Sequence, residues 1–343
     1  MKALFSLMEA GFVPRTLIRA GVRRLLAQRI RDESRGGIDG IDERRRAFIR
    51  EMDASPLAIH TKAANDQHYE VPTEFFKLCL GPRMKYSSAY WPAGVTTLAQ
   101  AEESMLEVYA QRAELQDGQR VLELGCGWGS FTLWAAAKYP NSRFVGVSNS
   151  YSQREYIMGK ARELGLSNIN IVTCDMNTFD PGAKFDRVFS VEMFEHMRNW
   201  RMLFDRISTW LDDGGKLFFH IFTHRNITYP FVDAGEDDWM SRHFFTGGIM
   251  PADDLPLNFQ DKLRIEERWM VDGRHYGRTA RAWLDNMDAN RSQVEPILAS
   301  VYGKNEVTRW RVRWEVFYIA CEELWNYANG SEWLVSHYRF AKR

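Results

Sequence analysis

The sequence lacks long hydrophobic runs: nowhere in its 343 residues does an apolar stretch reach the roughly 18 to 20 residues that span a bilayer. The opening MKALFSLMEAGFVPR is broken by Glu9 and is followed by no small-residue cleavage site, which argues against a signal peptide and for a cytoplasmic protein. Cysteine is scarce as well. Cys79, Cys126, Cys174 and Cys321 are far apart with no C-x-x-C pair, which argues against a disulfide framework or a structural zinc site. Net charge is zero, with 45 basic and 45 acidic residues, so no overall field draws the chain to nucleic acid. Internal repeats and low-complexity segments are absent too.

What is present is enough apolar material, 45% of residues, for one large core or a core plus a smaller domain. Charge is uneven along the chain. Residues 1–50 hold twelve Lys and Arg against six Asp and Glu, including Arg44 to Arg46. Such a basic helical arm suits contact with anionic lipid or nucleic acid; the plainer reading is a solvated helix face, or an arm docked on the more acidic remainder.

From residue 119 to 222, short apolar runs alternate with amphipathic segments. RVLELG, RFVGVS, INIVTC, DRVFSV and KLFFHIF read as strands, and SFTLWAAAKY, QREYIMGKAREL and WRMLFDRISTWL read as helices between them. This is the pattern of an α/β, Rossmann-like, doubly wound parallel sheet. Residues 1–65 read as a basic helical arm and 66–118 as a helical covering segment, with AQAEESMLEVYAQRAEL an amphipathic helix. Residues 223–343 read as a covering insert, a strand at LRIEERWMV, two helices and a last strand near WLVSHYRF.

VLELGCGWGS closes the first strand and opens a helix, with Glu123, Gly125, Gly127 and Gly129 at alternate positions. Glycines there let a backbone approach a ligand. A dinucleotide fingerprint would show G-x-G-x-x-G and an acid about twenty residues on. Here the loop is G-x-G-x-G, and the matching place, VGVSNS, has no acid.

The spacing E-x-G-x-G-x-G resembles the first motif of S-adenosylmethionine-dependent methyltransferases. NDQHYEVPTEFF, MKYSSAYW, VGVSNSYSQ and VEMFEHM narrow the likeness to the cyclopropane fatty acid synthase superfamily. DDWMSRHFFTGGIMP, LNFQDKL, DGRHYGRT and NGSEWLVSHYRF are closer to its coclaurine N-methyltransferase-like branch. The resemblance runs from about Asn65 to the C-terminus. It implies S-adenosylmethionine contacts at Tyr86, Ser87, Glu123, Gly125, Gly127, Asn149, Gln153, Asp175 and Met176. Chemically, Asp175 can accept adenine amino hydrogens, while Asn149 and Gln153 can serve in place of the missing acid. One departure stands out: cyclopropane synthases carry a bicarbonate-holding cysteine where this chain has Ser88.

Glu192, Glu195 and His196 end the fourth strand, beside the crevice where open α/β sheets bind ligands, and at i, i+3 and i+4 they can share one face of a helical turn. An aliphatic amine is mostly protonated at neutral pH, so a methyl acceptor of that kind needs a group to take its proton. Glu195 and His196 are jointly the expected base or amine anchor. Which of them carries the proton is left open. His220, read as the end of the next strand, points to the same crevice, and the resemblance implies a catalytic role for it and for Glu192. The plainer reading is an acidic helix start capping its own amides. E-x-x-E-H with His220 could also ligate a metal, but this chemistry needs none.

Trp239, Phe244, Phe245, Trp310, Trp314, Phe317 and Trp325 lie in segments placed to cover the crevice, and Trp314 and Phe317 are the expected substrate contacts. The favoured acceptor is the nitrogen of a small aromatic, alkaloid-like amine; the alternative is an unsaturated acyl chain of a phospholipid. A homodimer is compatible with either.

Overall fold

The computed structural model describes residues 2–59, 71–231, 244 and 247–343. The motif residues Asn65 to Glu70, and Trp239 and Phe245, lie outside the described residues. Eleven helices are described: α1 (Lys2–Glu9), α2 (Arg15–Glu33), α3 (Gly37–Ala54), α4 (Thr73–Cys79), α5 (Leu98–Arg112), α6 (Ser130–Lys138), α7 (Tyr151–Glu163), α8 (Trp200–Trp210), α9 (Arg274–Ala289), α10 (Arg291–Tyr302) and α11 (Val307–Asn326). The strands are β1 (Arg120–Leu124), β2 (Arg143–Ser148), β3 (Ile169–Thr173), β4 (Phe185–Val191), β5 (Leu211–His224), β6 (Tyr229–Pro230), β7 (Ile249–Met250), β8 (Leu263–Val271) and β9 (Trp333–Lys342).

Seven strands form one sheet in the order β3-β2-β1-β4-β5-β9-β8. β1 to β5 are parallel, and β9 runs antiparallel between β5 and β8. Because β1 pairs with both β2 and β4, the chain reverses its direction of progress across the sheet at β1. The crevice this opens at the carboxyl ends of β1 and β4 is where such sheets take ligands. The inner strands are apolar on both faces, as helices on both sides require: Val121, Leu122, Leu124, Val188 and Phe189 are fully buried.

Helix α5 shows how sequence aims a side chain at that crevice. Thr97 and Gln100 form a reciprocal capping box, fixing where the helix starts. Its buried stripe, Ala101, Met105, Leu106 and Tyr109, then lies on the sheet, and its last turn brings Tyr109 and Arg112 against β5 and β9. α11 carries Trp314, Phe317, Tyr318 and Trp325 into an aromatic cluster with Phe75, Phe76, Trp283 and Phe244.

The arm is docked. Arg15 pairs with Asp288 and Glu315 at 2.7 Å each, and Arg19 with Glu322 and Glu323 at 2.6 Å each. Arg23 also reaches Glu323, and Arg45 meets Asp254 at 2.6 Å. Four arginines of α2 and α3, Arg15, Arg19, Arg23 and Arg45, are therefore met by acids of the C-terminal half. None of the described helices is long and apolar enough to cross a membrane.

Two expectations need correction. Three helices, not two, follow β8: α9 stops at Asn290, and Gly303 ends α10 before α11 begins. β5 also runs on to His224, so His220 lies within the strand, paired with Val191 on one side and His337 on the other.

Candidate active site

β4 ends at Val191, and the next residue leaves the strand in an unusual way. Glu192 has φ +48°, a left-handed conformation that costs a non-glycine residue about 1–2 kcal/mol. Its amide still bonds to His220 O at 2.9 Å, and its side chain explains why the strain is tolerated. Oε1 accepts from the Ser88 amide at 3.0 Å and faces Nε2 of His220 at 3.0 Å, while Oε2 accepts from the Tyr276 hydroxyl at 2.7 Å. Two donors and the facing His220 ring nitrogen thus converge on one carboxyl group. Burial pushes the Glu192 carboxyl up, opposed by the nearby Lys85 ammonium and by the bonds from Ser88 and Tyr276.

Glu195 follows in a short 3-10 turn, Phe194–His196, tied down by the Trp200 indole, which donates to Phe194 O at 2.9 Å. The Glu195 carboxylate is fully buried. Oε1 accepts from the Phe222 amide at 2.7 Å; Oε2 is buried with no hydrogen-bond partner among the described residues. Burial, and then the charge of Glu192, push its pKa well above the carboxylate range. Burial lowers His196 to about 4, so it is neutral in the working range. Glu192 and Glu195 do not share one face of a turn, contrary to expectation. The left-handed residue turns Glu192 toward Ser88 and Tyr276 and leaves Glu195 facing Phe222.

Sequence reasoning missed five neighbours. Lys85 Nζ is buried, donates to the Tyr109 hydroxyl at 2.8 Å and to Ser87 Oγ, and is lowered by burial to about 8. Tyr109 OH is 2.8 Å from His220 Nδ1. His337 Nε2 is 3.0 Å from the same nitrogen, and Arg112 stands 2.8 Å from His337 Nδ1. With Tyr276, these groups surround Glu192 and His220. A polar residue at a core position of a predicted helix or strand, as Tyr109 and His337 are, is the signal that could have found them.

The residues assigned to the cofactor lie around the same edge. Glu123 ends β1 buried, accepts the Thr132 hydroxyl, and is pushed up to about 8 by burial. Gly127 has φ +51°, and a Cβ there would meet no heavy atom within 4 Å. The backbone at Gly127 therefore borders open space, as a cradle for a ligand would. Asn149 is exposed beyond β2, and the Gln153 amide oxygen accepts the Ser148 hydroxyl at 2.6 Å. Asp175, just after β3, uses Oδ1 to accept the Asn177 amide at 2.7 Å, with Met176 buried beside it. Tyr86 packs against Phe76 and Trp283 with ring centres 5.3 and 5.6 Å apart. Gly125 bonds to Val147 O at 3.0 Å, placing the loop against β2. An open glycine cradle, a buried acid and a run of polar groups past β2 and β3 fit the adenosyl and amino-acid halves of S-adenosylmethionine.

Trp314 lies 4.7 Å from Phe75 and 5.2 Å from Phe244, and Phe317 stacks on Phe244 at 4.5 Å. Phe76 links this group to Trp128 of the glycine loop at 5.3 Å. Trp325 stacks on Tyr276 at 4.6 Å, one step from Glu192. Trp310 stacks on Tyr302. The indole N–H groups of Trp283, Trp314 and Trp325 are buried without a hydrogen-bond partner among the described residues.

The strand order, the glycine loop after β1 and the carboxylates after β4 define a class I methyltransferase fold. Comparison with known proteins narrows this. The family described as mycolic acid cyclopropane synthetase matches residues 58–329, and the chain belongs to it. It is 34% identical to the (S)-coclaurine N-methyltransferase of Thalictrum flavum subsp. glaucum, over 99% of this chain and 95% of that one. A crystal structure of a coclaurine N-methyltransferase bound to N-methylheliamine and SAH superposes with a TM-score of 0.96 at 34% identity, covering 99% of both chains. The cyclopropane-fatty-acyl-phospholipid synthase of Escherichia coli K12 is more distant, 27% identical over 78% of this chain and 65% of its own.

Proposed function

We propose that this protein is an S-adenosylmethionine-dependent methyltransferase acting on the nitrogen of a small, aromatic, alkaloid-like amine. The likeness to coclaurine N-methyltransferases, over nearly the whole of both chains, supports the class of reaction. The observation that carries the chemistry is Glu195 Oε2, a buried carboxylate oxygen with no donor among the described residues. An ammonium N–H is the donor it lacks.

When bound, S-adenosylmethionine supplies a methyl group on a sulfonium, open to in-line attack. The chain's task is to hold an amine in line and to take its proton. A carboxylate whose pKa is raised by burial is a better base for an ammonium than one in water, because the two pKa values lie closer together. Glu195, with His196 beside it, takes the N–H proton at Oε2 and so frees the nitrogen lone pair for attack on the methyl carbon. Glu192, held by Ser88, Tyr276 and His220, remains the fixed negative charge that draws the cation in. Gly127, Glu123 and Asp175 hold the donor, with Tyr86, Ser87, Gly125, Asn149, Gln153 and Met176 around it. Trp314 and Phe317 cover a flat substrate and exclude water.

In this scheme residues 1–65 form the arm, 66–118 cover the cofactor, 119–222 bind it, and 223–343 cover the substrate and complete the sheet. The amine is a dissolved cytoplasmic partner. A panel of aromatic secondary and tertiary amines, read by release of S-adenosylhomocysteine, tests the proposal. Release with one of them and no methylene-bridged acyl chain in producing cells is expected; bridged lipid with no amine turnover would overturn it.

A further inference from the structure

Beyond the groups that would touch substrate, a line of hydrogen bonds runs from the end of α5 through β9 and β5 to Glu192, and its direction can be worked out from one end. Arg112 leaves the last turn of α5 with its guanidinium over the Trp269 ring at 5.1 Å. It lies 2.8 Å from His337 Nδ1. A guanidinium can only donate, so Nδ1 of His337 must accept. His337 is fully buried and held well below the ordinary histidine pKa by burial, then by its neighbours His220 and Arg112, so it is neutral and its one proton is on Nε2.

That nitrogen is 3.0 Å from His220 Nδ1. The reverse orientation, with His220 donating, would leave two donors facing each other between Arg112 and His337. His220 Nδ1 therefore accepts. His220 is also buried and neutral, so its proton is on Nε2, 3.0 Å from Glu192 Oε1. Tyr109 does not decide the matter: its hydroxyl receives Lys85 and lies 2.8 Å from His220 Nδ1, and an oxygen can donate there or accept. The direction of the line is set by the one group that cannot accept.

We propose that Arg112 is a positioning residue that, through His337, locks His220 in the tautomer whose N–H points at Glu192. A histidine's functional nitrogen is commonly set by the bond its other nitrogen makes; here that control passes through a second histidine. The lock fixes Glu192 as a hydrogen-bond acceptor and stops the histidine pair from becoming a proton sink behind it. The catalytic part of the proposal rests on the methyltransferase reading above; the tautomer part does not.

The experiment is long-range 1H–15N correlation of the histidine rings in the full-length chain, with turnover and S-adenosylhomocysteine titration on the same samples. His220 and His337 are expected as neutral Nε2–H tautomers. Arg112→Leu is expected to give mixed tautomers and to lower kcat about tenfold, the lower end of what an imidazole's orienting partners are worth, with unchanged affinity for S-adenosylhomocysteine. Arg112→Lys, which keeps a donor, is expected to restore both. A proton on His220 Nδ1 in the unsubstituted protein, or Nε2–H tautomers unchanged in Arg112→Leu, would overturn the lock. Should Arg112→Leu not fold, His337→Phe breaks the line at its next member, and an unaltered His220 tautomer there overturns it equally. Tautomers as expected in a protein that turns over no amine would uphold the lock and reject the methyltransferase reading instead.

Discussion

Nε2 of His220 stands 3.0 Å from Oε1 of Glu192, across the join between β4 and β5. With His220 in the Nε2–H form argued above, Glu192 is the meeting point of three donors, from Ser88, Tyr276 and His220. A glutamine there has one acceptor oxygen and presents an NH2 to a donor. Glu192→Gln is therefore expected to lower kcat by about a hundredfold, the scale of a lost acid–base or electrostatic partner, while the affinity for S-adenosylhomocysteine stays within about twofold. Equal losses in both would mean that Glu192 supports the cofactor site instead.

The glycine loop separates binding from folding. Gly127 and Gly129 both have positive φ, but a Cβ at Gly127 meets nothing within 4 Å, whereas one at Gly129 would lie 2.7 Å from Ile157 Cγ1. Gly127→Ala is expected to lose S-adenosylhomocysteine binding in calorimetric titration, with a loss of stability limited to the left-handed strain of about 1–2 kcal/mol. Gly129→Ala, with the same strain plus a clash against α7, is expected to lower the melting temperature further. Undiminished cofactor binding by Gly127→Ala would remove that residue from the site.

Much of this was legible in the sequence because the signals were local. The five parallel strands and their helices followed from apolar periodicity, and the loop from its glycine spacing. Glu195 was legible as an ionisable residue just past a core strand. The direction of Glu192 was not, because it depends on a left-handed residue that no propensity favours. Nor was the link from His220 to Arg112: it joins β5, β9 and α5, elements more than a hundred residues apart that only the antiparallel insertion of β9 brings together. The extent of β5 was underestimated at its C-terminal end, where the strand runs past Phe222 to His224.

The arm supplies a stability test. Arg19 is largely buried between Glu322 and Glu323. Burial alone would raise the Glu323 carboxyl, but Arg23 and Arg19 outweigh it and hold the group below its usual value. A carboxylate with a lowered folded pKa contributes stability above its unfolded value, and that contribution fades as pH falls through the folded one. Arg19→Ala is expected to cost about 1–3 kcal/mol at pH 7, between the surface and buried cases, and less at pH 3 in urea titrations. An equal cost at both pH values would mean that packing, not charge, holds the arm.

Glu123 gives the opposite sign. Burial raises its folded pKa from 4.5 to about 8, so between those values the folded chain binds more protons than the unfolded one, and stability falls as pH rises. Glu123→Gln keeps an acceptor for Thr132 without the ionisation. Melting curves are expected to show the variant gaining on the parent as pH is raised from 5 to 8. A constant difference would place the Glu123 titration elsewhere.

The pH profile distinguishes which group takes the amine proton. His196 is lowered to about 4, and His220 and His337 lie well below their usual value, so no site histidine changes charge between pH 6 and 9. Glu195 is held far above the carboxylate range, so its basic form grows as pH rises. kcat/KM for an amine is expected to rise with pH above neutrality, and the limb combines ionisation of Glu195 with that of the free amine. A quaternary-forming tertiary amine and a less basic aromatic amine separate the two, since only the substrate's contribution moves between them. Glu195→Gln is expected to lower kcat by about 10²–10⁴, the range for a general base, and to remove the part of the limb common to both substrates. If the common part survives in Glu195→Gln and disappears in His196→Ala, the imidazole is the base and Glu195 only anchors the cation.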